Sequence, residues 1–307
     1  MLMVSIAIGA AGCGERRGAG GGELSGSIRI DGSSTVFPLT AAVAEEFILA
    51  GGRGVRLTVG VSGTGGGFSR FCGGEIEIAD ASRPITETER AACARNGVEF
   101  LEVPVAYDGI VVVVNPQNTW TDCLTVQELR RIWRPASTVE RWSDVRAAWP
   151  AEEIHLYGPG TDSGTFDYFT EAIVGEADAS RPDFTASEDD NVLIQGVAGD
   201  PHALGYFGFA FYQENRGQLG LVAVDGGRGC VTPTPQTIQT GTYAPLSRPI
   251  FIYVDRAALE RPEVRAFVRF YLENAATLAP AVGYVALDAA QYRRGLERVG
   301  EVGGAGA

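Results

Sequence analysis

Positive charge, histidine and long apolar runs are what this sequence has least of. Its 25 Lys+Arg against 38 Asp+Glu leave a net charge of −13, with no basic stripe to interrupt the acidic balance. That argues against nucleic acid and anionic membrane surfaces as partners. An anionic ligand would have to be held by local dipoles and a few placed donors. With only His155 and His202, and no C-x-x-C spacing among the cysteines, zinc lacks a ligand set. There is no G-x-x-x-x-G-K-[ST], and Gly60 to Gly67 gives no dinucleotide fingerprint with its acidic partner, so neither ATP nor NAD is expected and no cofactor or metal is implied. What is present is a 307-residue chain, 45% hydrophobic and 21% charged, which is globular and long enough for two domains.

The apolar run Leu2 to Ala11 is about half the ~20 residues needed to span a bilayer. It reads as the apolar part of a signal peptide, although the basic segment expected before it is missing. Ala10-Ala11-Gly12-Cys13 resembles the lipobox of bacterial lipoproteins, which makes Cys13 the lipidation candidate. Glycine-rich sequence through Gly26 then reads as a flexible tether. The expected location is therefore periplasmic or at the cell surface, held by a lipid. The other four cysteines, Cys72, Cys93, Cys123 and Cys230, suit two disulfides in an exported protein, and equally buried free thiols.

Beyond the tether, short apolar strands alternate with helices, as in α/β folds. Strands are expected at 27–30, 55–61, 75–79, 98–105 and 110–114. Later ones fall at 154–157, 203–207, 219–224 and 250–254. Thr86-x-x-Glu89 and Thr125-x-x-Glu128 are capping boxes. Phe166, Phe169 and Ile173 fall on one face of a helix that Gly175 closes. Ala106 to Gly109 is the candidate crossing into a second domain, and the turn-rich passage from Gly226 to Gly241 suits the return.

Three loops share one grammar: a strand, then glycines with hydroxyls, then a helix. They are Ser33 to Thr35, Ser62 to Gly66, and Ser163 to Thr165. Open α/β sheets place ligands at the carboxyl ends of strands, and helix N-termini offer unpaired N–H groups to anions. If the loops converge, they form a cage of donors for a small tetrahedral oxyanion, in a cleft between two lobes that closes by hinge motion. Asp80, at the end of the third strand, would repel an anion unless the anion brings a proton. Hydrogen phosphate does and sulfate does not, so a buried acceptor could separate the two. Asp80 could equally pair with Arg83, and Arg83 could supply bidentate contacts to the ligand.

These residues match a known pattern. Gly32 to Pro38, Ser62 to Gly67, Asp80 to Ile85, Gly158 to Phe169 and Pro245 to Pro249 resemble, in order along the chain, the phosphate-binding proteins of bacterial high-affinity phosphate ABC transporters. The resemblance implies a periplasmic-binding-protein fold of two α/β lobes joined by two crossing segments, with a ligand cleft between them. Residues 1–26 would be signal segment and tether, 27–106 plus 246–307 lobe I, and 107–245 lobe II. It also implies a monomer that binds inorganic phosphate without chemistry and hands it to membrane permease subunits. Carried over by motif, Ser34, Thr35 and Val36 donate from the first loop and Ser62 from the second. Asp80 accepts the phosphate proton, and Ser163, Gly164 and Thr165 donate from the other lobe. The arginine that many family members carry before the Ser-Gly-Thr is absent, Gly158-Pro159-Gly160 standing there. Arg83 is the expected substitute, with Arg248 behind it. In this fold Cys72 with Cys93 and Cys123 with Cys230 is the favoured pairing, since each bridge stays within one stretch. Two other readings share the sequence: a serine hydrolase using Ser163 or Ser62, which lacks a G-x-S-x-G elbow, and a phosphate sensor without a permease.

Overall fold

The computed structural model describes residues 24–303. Cys13 and the signal segment lie outside them. The chain begins with β1 (Gly26–Gly32), α1 (Phe37–Phe47), β2 (Val55–Val59), α2 (Gly63–Cys72), β3 (Ile78–Ala81) and α3 (Glu87–Arg95). Both β2 and β3 pair parallel to β1, so the connections return over the sheet as helices. Helix α1 has Pro38 in its first turn and buries Leu39, Val43 and Phe47, the spacing of one apolar face. Thr86 and Glu89 form the capping box that opens α3.

Strand β4 (Phe100–Val114) is the hinge of the architecture. Its first part pairs antiparallel with the first lobe, and residues 110–114 pair with strands of the second. The second lobe holds β5 (Cys123–Thr125), α4 (Val126–Trp133), α5 (Trp142–Val145), β6 (His155–Gly158) and α6 (Gly164–Phe169). A wider turn at Thr170–Val174 extends α6 to Gly175, whose φ of 100° ends it. Then come β7 (Thr185–Ala186), α7 (Asp190–Gly199), β8 (Ala203–Gly208), α8 (Phe209–Glu214), β9 (Gly220–Asp225), β10 (Cys230–Val231) and α9 (Pro235–Gln239). The chain returns through β11 (Ser247–Asp255) and finishes in lobe I with α10 (Pro262–Ala281), β12 (Val285–Ala286) and α11 (Ala289–Gly303). The strand path is β2-β1-β3-β11-β4-β8-β6-β7. The two crossing segments lie side by side, with Arg248 in register with Asp108 and the Ile110 N–H bonded to the Leu246 carbonyl.

Apolar residues form one core in lobe II, around Trp133, Phe169 and Phe207, and two in lobe I, one on each face of its sheet. Phe209, first residue of the aromatic α8, is in the lobe II core. Both disulfides form, Cys72 with Cys93 and Cys123 with Cys230. The second ties β5 to β10, which flank β9 on its two sides. Three expectations differ. The segments 98–105 and 110–114 are one strand, because the crossing keeps its ladder through Gly109. The return is made by β11, whereas residues 226–241 stay on lobe II, where Ile238 joins the core. The third strand starts at Ile78, three residues later than the apolar pattern suggests, and ends at Ala81, two residues later. Among the described residues no helix is long and apolar enough to cross a membrane.

Candidate functional site

At the end of β1, Gly32 has φ +144° and lies so close to β3 that a Cβ would sit 2.2 Å from the Asp80 carbonyl oxygen. Only glycine permits this approach. Ser33 N–H then bonds that same carbonyl at 3.0 Å, and the Ser33 carbonyl accepts from Val36 and Phe37. The turn so closed drives Val36 into the core with its amide already used, and leaves Ser34 and Thr35 facing the second lobe. Ser34 Oγ donates to Asp167 Oδ2 at 2.7 Å. Thr35 Oγ1 donates to the Gly164 carbonyl at 3.3 Å and accepts from Arg248 Nη2 at 3.0 Å. Tyr284 Oη donates to the Thr35 carbonyl.

The second loop enters α2 at Gly63, whose φ is +74°. Its first-turn amides at Gly63, Thr64 and Gly65 have no acceptor within the helix. Ser62, the residue before the helix, is exposed and makes no cap hydrogen bond. Thr64 takes the inward position: its Oγ1 lies 3.0 Å from Ser82 Oγ and accepts from Ser82 N–H at 3.2 Å. Arg83 follows on the same rim, doubly bonded to Glu89 at 2.9 and 2.8 Å with its guanidinium over the Phe68 ring. That hydrogen bonding, ahead of the opposing burial, holds the Glu89 carboxyl down at about 2.

From lobe II, Ser163 caps α6, its hydroxyl accepting from Thr165 N–H at 3.2 Å. Phe166, Phe169 and Ile173 are buried, as their spacing requires. Gly164 presses on the first loop, where a Cβ would stand 2.6 Å from Thr35 Cα and N. Between the lobes stands Arg248, 3.5 Å from Asp108 Oδ2, 3.7 Å from Glu171 Oε2, and stacked 3.5 Å from the Tyr168 ring centre. Burial pushes the Asp108 carboxyl up to about 6, with Arg248 pulling the other way.

Two cavities flank the Ser34–Asp167 contact. The smaller, 240 Å³, is lined by hydroxyls of Ser33, Ser34, Thr35, Thr64 and Ser82, the first turn of α2, Asp167, Glu171 and the guanidinium groups of Arg83 and Arg248. It is below the ~300–1,000 Å³ of drug-sized pockets, which favours a small ligand over a nucleotide. The larger, 380 Å³, is lined by Ser34, Ser163, Gly164 and Thr165 but also by Asp108, Asp162, Glu188 and Asp190. Burial, helped by Asp189 and Glu188, pushes Asp190 up to about 7. The first cavity sets two arginines against the carboxylates of Asp167 and Glu171, whereas the second has four carboxylates and no cation, so an anion is repelled less in the first.

The residues expected from sequence thus divide. Ser34, Thr35 and Arg83 line the small cavity, while Ser163, Gly164 and Thr165 line the large one and touch the small one only through Gly164 against Thr35. Val36 is in the core, and Ser62 lines neither cavity. Asp80 lines neither as well: it is buried on the α1 side of β3, neither oxygen has a partner at good hydrogen-bond geometry, and the nearby Thr40 hydroxyl, paired with Tyr271 Oη, is the polar group that favours its ionised form. Strand alternation sets this, since Ile78 and Asp80 face α1 while Ala79 and Ala81 face the opposite core. Thr64, Ser82 and Asp167 take the inward places. All three lie inside the quoted motifs, so their residue types were visible and only their direction was not. Arg248, second in line from sequence, is central. No histidine lines either cavity, and Ser163 Oγ is engaged as a helix cap, so no nucleophile–base pair is assembled there.

A family model for the PBP superfamily domain matches residues 17–275. The chain is 52% identical over 276 residues to Protein SphX of Synechocystis, covering 89% of this chain and 82% of that one. It is 37% identical to the phosphate-binding protein PstS of Staphylococcus saprophyticus, covering 94% and 88%. Among solved structures, a possible phosphate-binding protein from Planctomyces limnophilus superposes with a TM-score of 0.86 at 48% identity, covering 91% of this chain and 99% of that one.

Proposed function

Because this chain belongs to the PBP superfamily, and within it to the phosphate-binding proteins, we propose that it binds inorganic phosphate outside the cytoplasm and delivers it to the permease of a phosphate ABC transporter. The observation that carries the reading is the meeting of two lobes at one small, arginine-bearing cavity. Loop 33–35 and the start of α2 come from one lobe, Asp167 from the other, and Arg248 from the crossing strand between them.

In this reading Ser34, Thr35, Thr64 and Ser82 donate hydroxyl hydrogen bonds, and the first-turn amides of α2 add unpaired N–H groups. Arg248 supplies the fixed positive charge, already oriented by Asp108 and by the Tyr168 ring. Arg83 adds charge from the rim but is shared with Glu89. Ser163 to Thr165 seat the second lobe against loop 33–35, so that closing the cleft and completing the site are one motion. No step breaks a covalent bond of the ligand. Acylation at Cys13 would keep the protein beside its permease, and the glycine-rich tether would let it reach.

Titration calorimetry of the exported full chain tests the reading. Phosphate is expected to bind with a Kd of roughly 1 μM or tighter, about −8 kcal/mol. The intact mass of the same preparation tells whether Cys13 carries lipid. Absence of phosphate binding would overturn the assignment.

A further inference from the structure

Lobe I has an end that the phosphate site does not use. Helix α1 carries the chain away from loop 33–35 and ends in a wide turn, Ile48–Gly52, where Gly51 at φ +121° sends it back into β2. The 11 residues of α1 and the 5 of the turn span roughly 24 Å at ~1.5 Å per residue, so the tip lies at the far side of the lobe. Among the described residues four large apolar side chains are exposed, and two of them are neighbours at this tip, Ile48 at 37% and Leu49 at 61%. Ala50 and Gly51 beside them are exposed as well. Single exposed apolar residues are ordinary, whereas a run of them at a turn calls for a partner.

We propose that this tip is a membrane-contact surface, at which Ile48 and Leu49 enter the headgroup–acyl boundary of a phospholipid bilayer and Arg53 and Arg56 meet its phosphates. The inference rests on the reading of Cys13 as acylated and adds which face of the protein that anchor turns toward the membrane.

The place at which the N-terminal segment joins the fold identifies the occupant. Gly26 pairs with Val55 and Ser27 with Arg56, and a Cβ on Gly54 would stand 2.2 Å from the Leu24 carbonyl oxygen. The chain leading from Cys13 therefore enters the fold beside the tip. Ten residues, half of them glycine, separate Cys13 from Leu24, and a coil of that length spans roughly 18 Å. A lipid at Cys13 holds the tip at high effective concentration near the bilayer, so a contact that is weak by itself suffices.

Charge fits the same occupant. The net charge of −13 argues against a membrane partner for the molecule as a whole, yet no carboxylate occurs between Glu46 and Glu75, a stretch that carries Arg53, Arg56 and Arg70. Arg53 and Arg56 are exposed and have no ion-pair partner among the described residues. Glu45 and Glu46, one turn back on α1, limit the pull of anionic lipid, so the apolar pair supplies the contact and the arginines orient it. The parallel strands β1 and β2 start at this end and deliver the ligand loops at the other. Docked through the tip, the protein keeps those loops about 20 Å off the bilayer, the length of the 7-residue β1 at ~3.3 Å per residue. This is a pose for collecting phosphate from solution, and delivery requires the tip to let go.

The test uses the exported, acylated full chain on vesicles of phosphatidylcholine and phosphatidylglycerol in equal parts. A polarity-sensitive nitrobenzoxadiazole label is placed by Leu49→Cys or, as the control, by Val192→Cys at an exposed valine of lobe II. The label at 49 is expected to emit at shorter wavelength than the label at 192 and to be shielded from iodide. Transfer of Ile48→Ser/Leu49→Ser from these vesicles to acceptor vesicles is expected to be roughly 10-fold faster than that of the wild type. Two labels that behave alike, or an unchanged transfer rate, overturn the inference while the anchor stands. An intact mass without acyl groups on Cys13 overturns the anchor and the inference together, and phosphate titration of the same preparation reads the functional assignment separately.

Discussion

Asp80 is 1% exposed, neither of its oxygens has a partner at good hydrogen-bond geometry, and burial, opposed by the Thr40 hydroxyl and reinforced by Asp31, holds its carboxyl up at about 8. The folded protein therefore keeps a proton that the unfolded chain releases near its ordinary 3.8. Stability from this group is intact below that value and declines as pH rises toward 8, where Asp80 ionises in the fold as well. Asn in its place has no charge to desolvate. Asp80→Asn is expected to be stabilised relative to wild type by roughly 1–3 kcal/mol more at pH 8 than at pH 5, a tenfold change in proton affinity being about 1.4 kcal/mol. Urea unfolding at both values checks it, and parallel curves at the two pH values would rule it out. Asp108 shows the other way to keep a buried carboxylate. Its neighbour Arg248 offsets part of the burial, so its carboxyl rises only to about 6. Carboxylates of the same kind thus have different uses, one orienting an arginine at the cleft and one buried out of its reach.

At the scale of elements, the decisive contact is α6 against loop 33–35. Gly164 has ordinary backbone angles, so alanine there strains nothing within its own lobe. Its Cβ would stand 2.6 Å from Thr35, a separation real Cβ atoms do not tolerate, and only the lobes can yield. Gly164→Ala is expected to leave the melting temperature within a few degrees, since surface and loop changes usually stay within about ±0.5 kcal/mol. Phosphate affinity should fall roughly 10-fold or more because the closed arrangement is strained. Calorimetry with solution scattering reads both, and unchanged affinity would mean the contact does not govern closure. The loops that make this junction were legible because strand, glycine-hydroxyl turn and helix are local patterns. Which residue of each loop faces the cleft was not. Placing the third strand at 75–79 put Asp80 just past its end, whereas β3 runs on to Ala81 and delivers Ser82, so Asp80 stands inside the strand on the face that packs under α1. Asp167 was hidden for another reason. Its partner Ser34 is 133 residues away, and no local period records such a pairing.

For the molecule as a whole, the crossing strands β4 and β11 are hydrogen-bonded neighbours, so the lobes can close by bending one two-stranded hinge. The cleft they enclose is set in an acidic body: 25 positive side chains, all arginine, against 38 negative ones. Arriving phosphate meets two opposed fields. Arg83 and Arg248 attract it over a few ångströms, while the distributed net charge repels it from farther out. Salt weakens the second more than the first, because charges beyond the ~8 Å Debye length of physiological buffer are screened and partly buried neighbours are not. The association rate for phosphate is therefore expected to rise as ionic strength goes from about 10 mM to about 150 mM, contrary to the fall seen when net charge steers a ligand inward. The dissociation rate, set by hydrogen bonds within the closed cleft, should change little. Stopped-flow measurements at several salt concentrations test both parts. A rate that falls with salt would show that the two arginines, and not the acidic body, set the field at the mouth of the cleft.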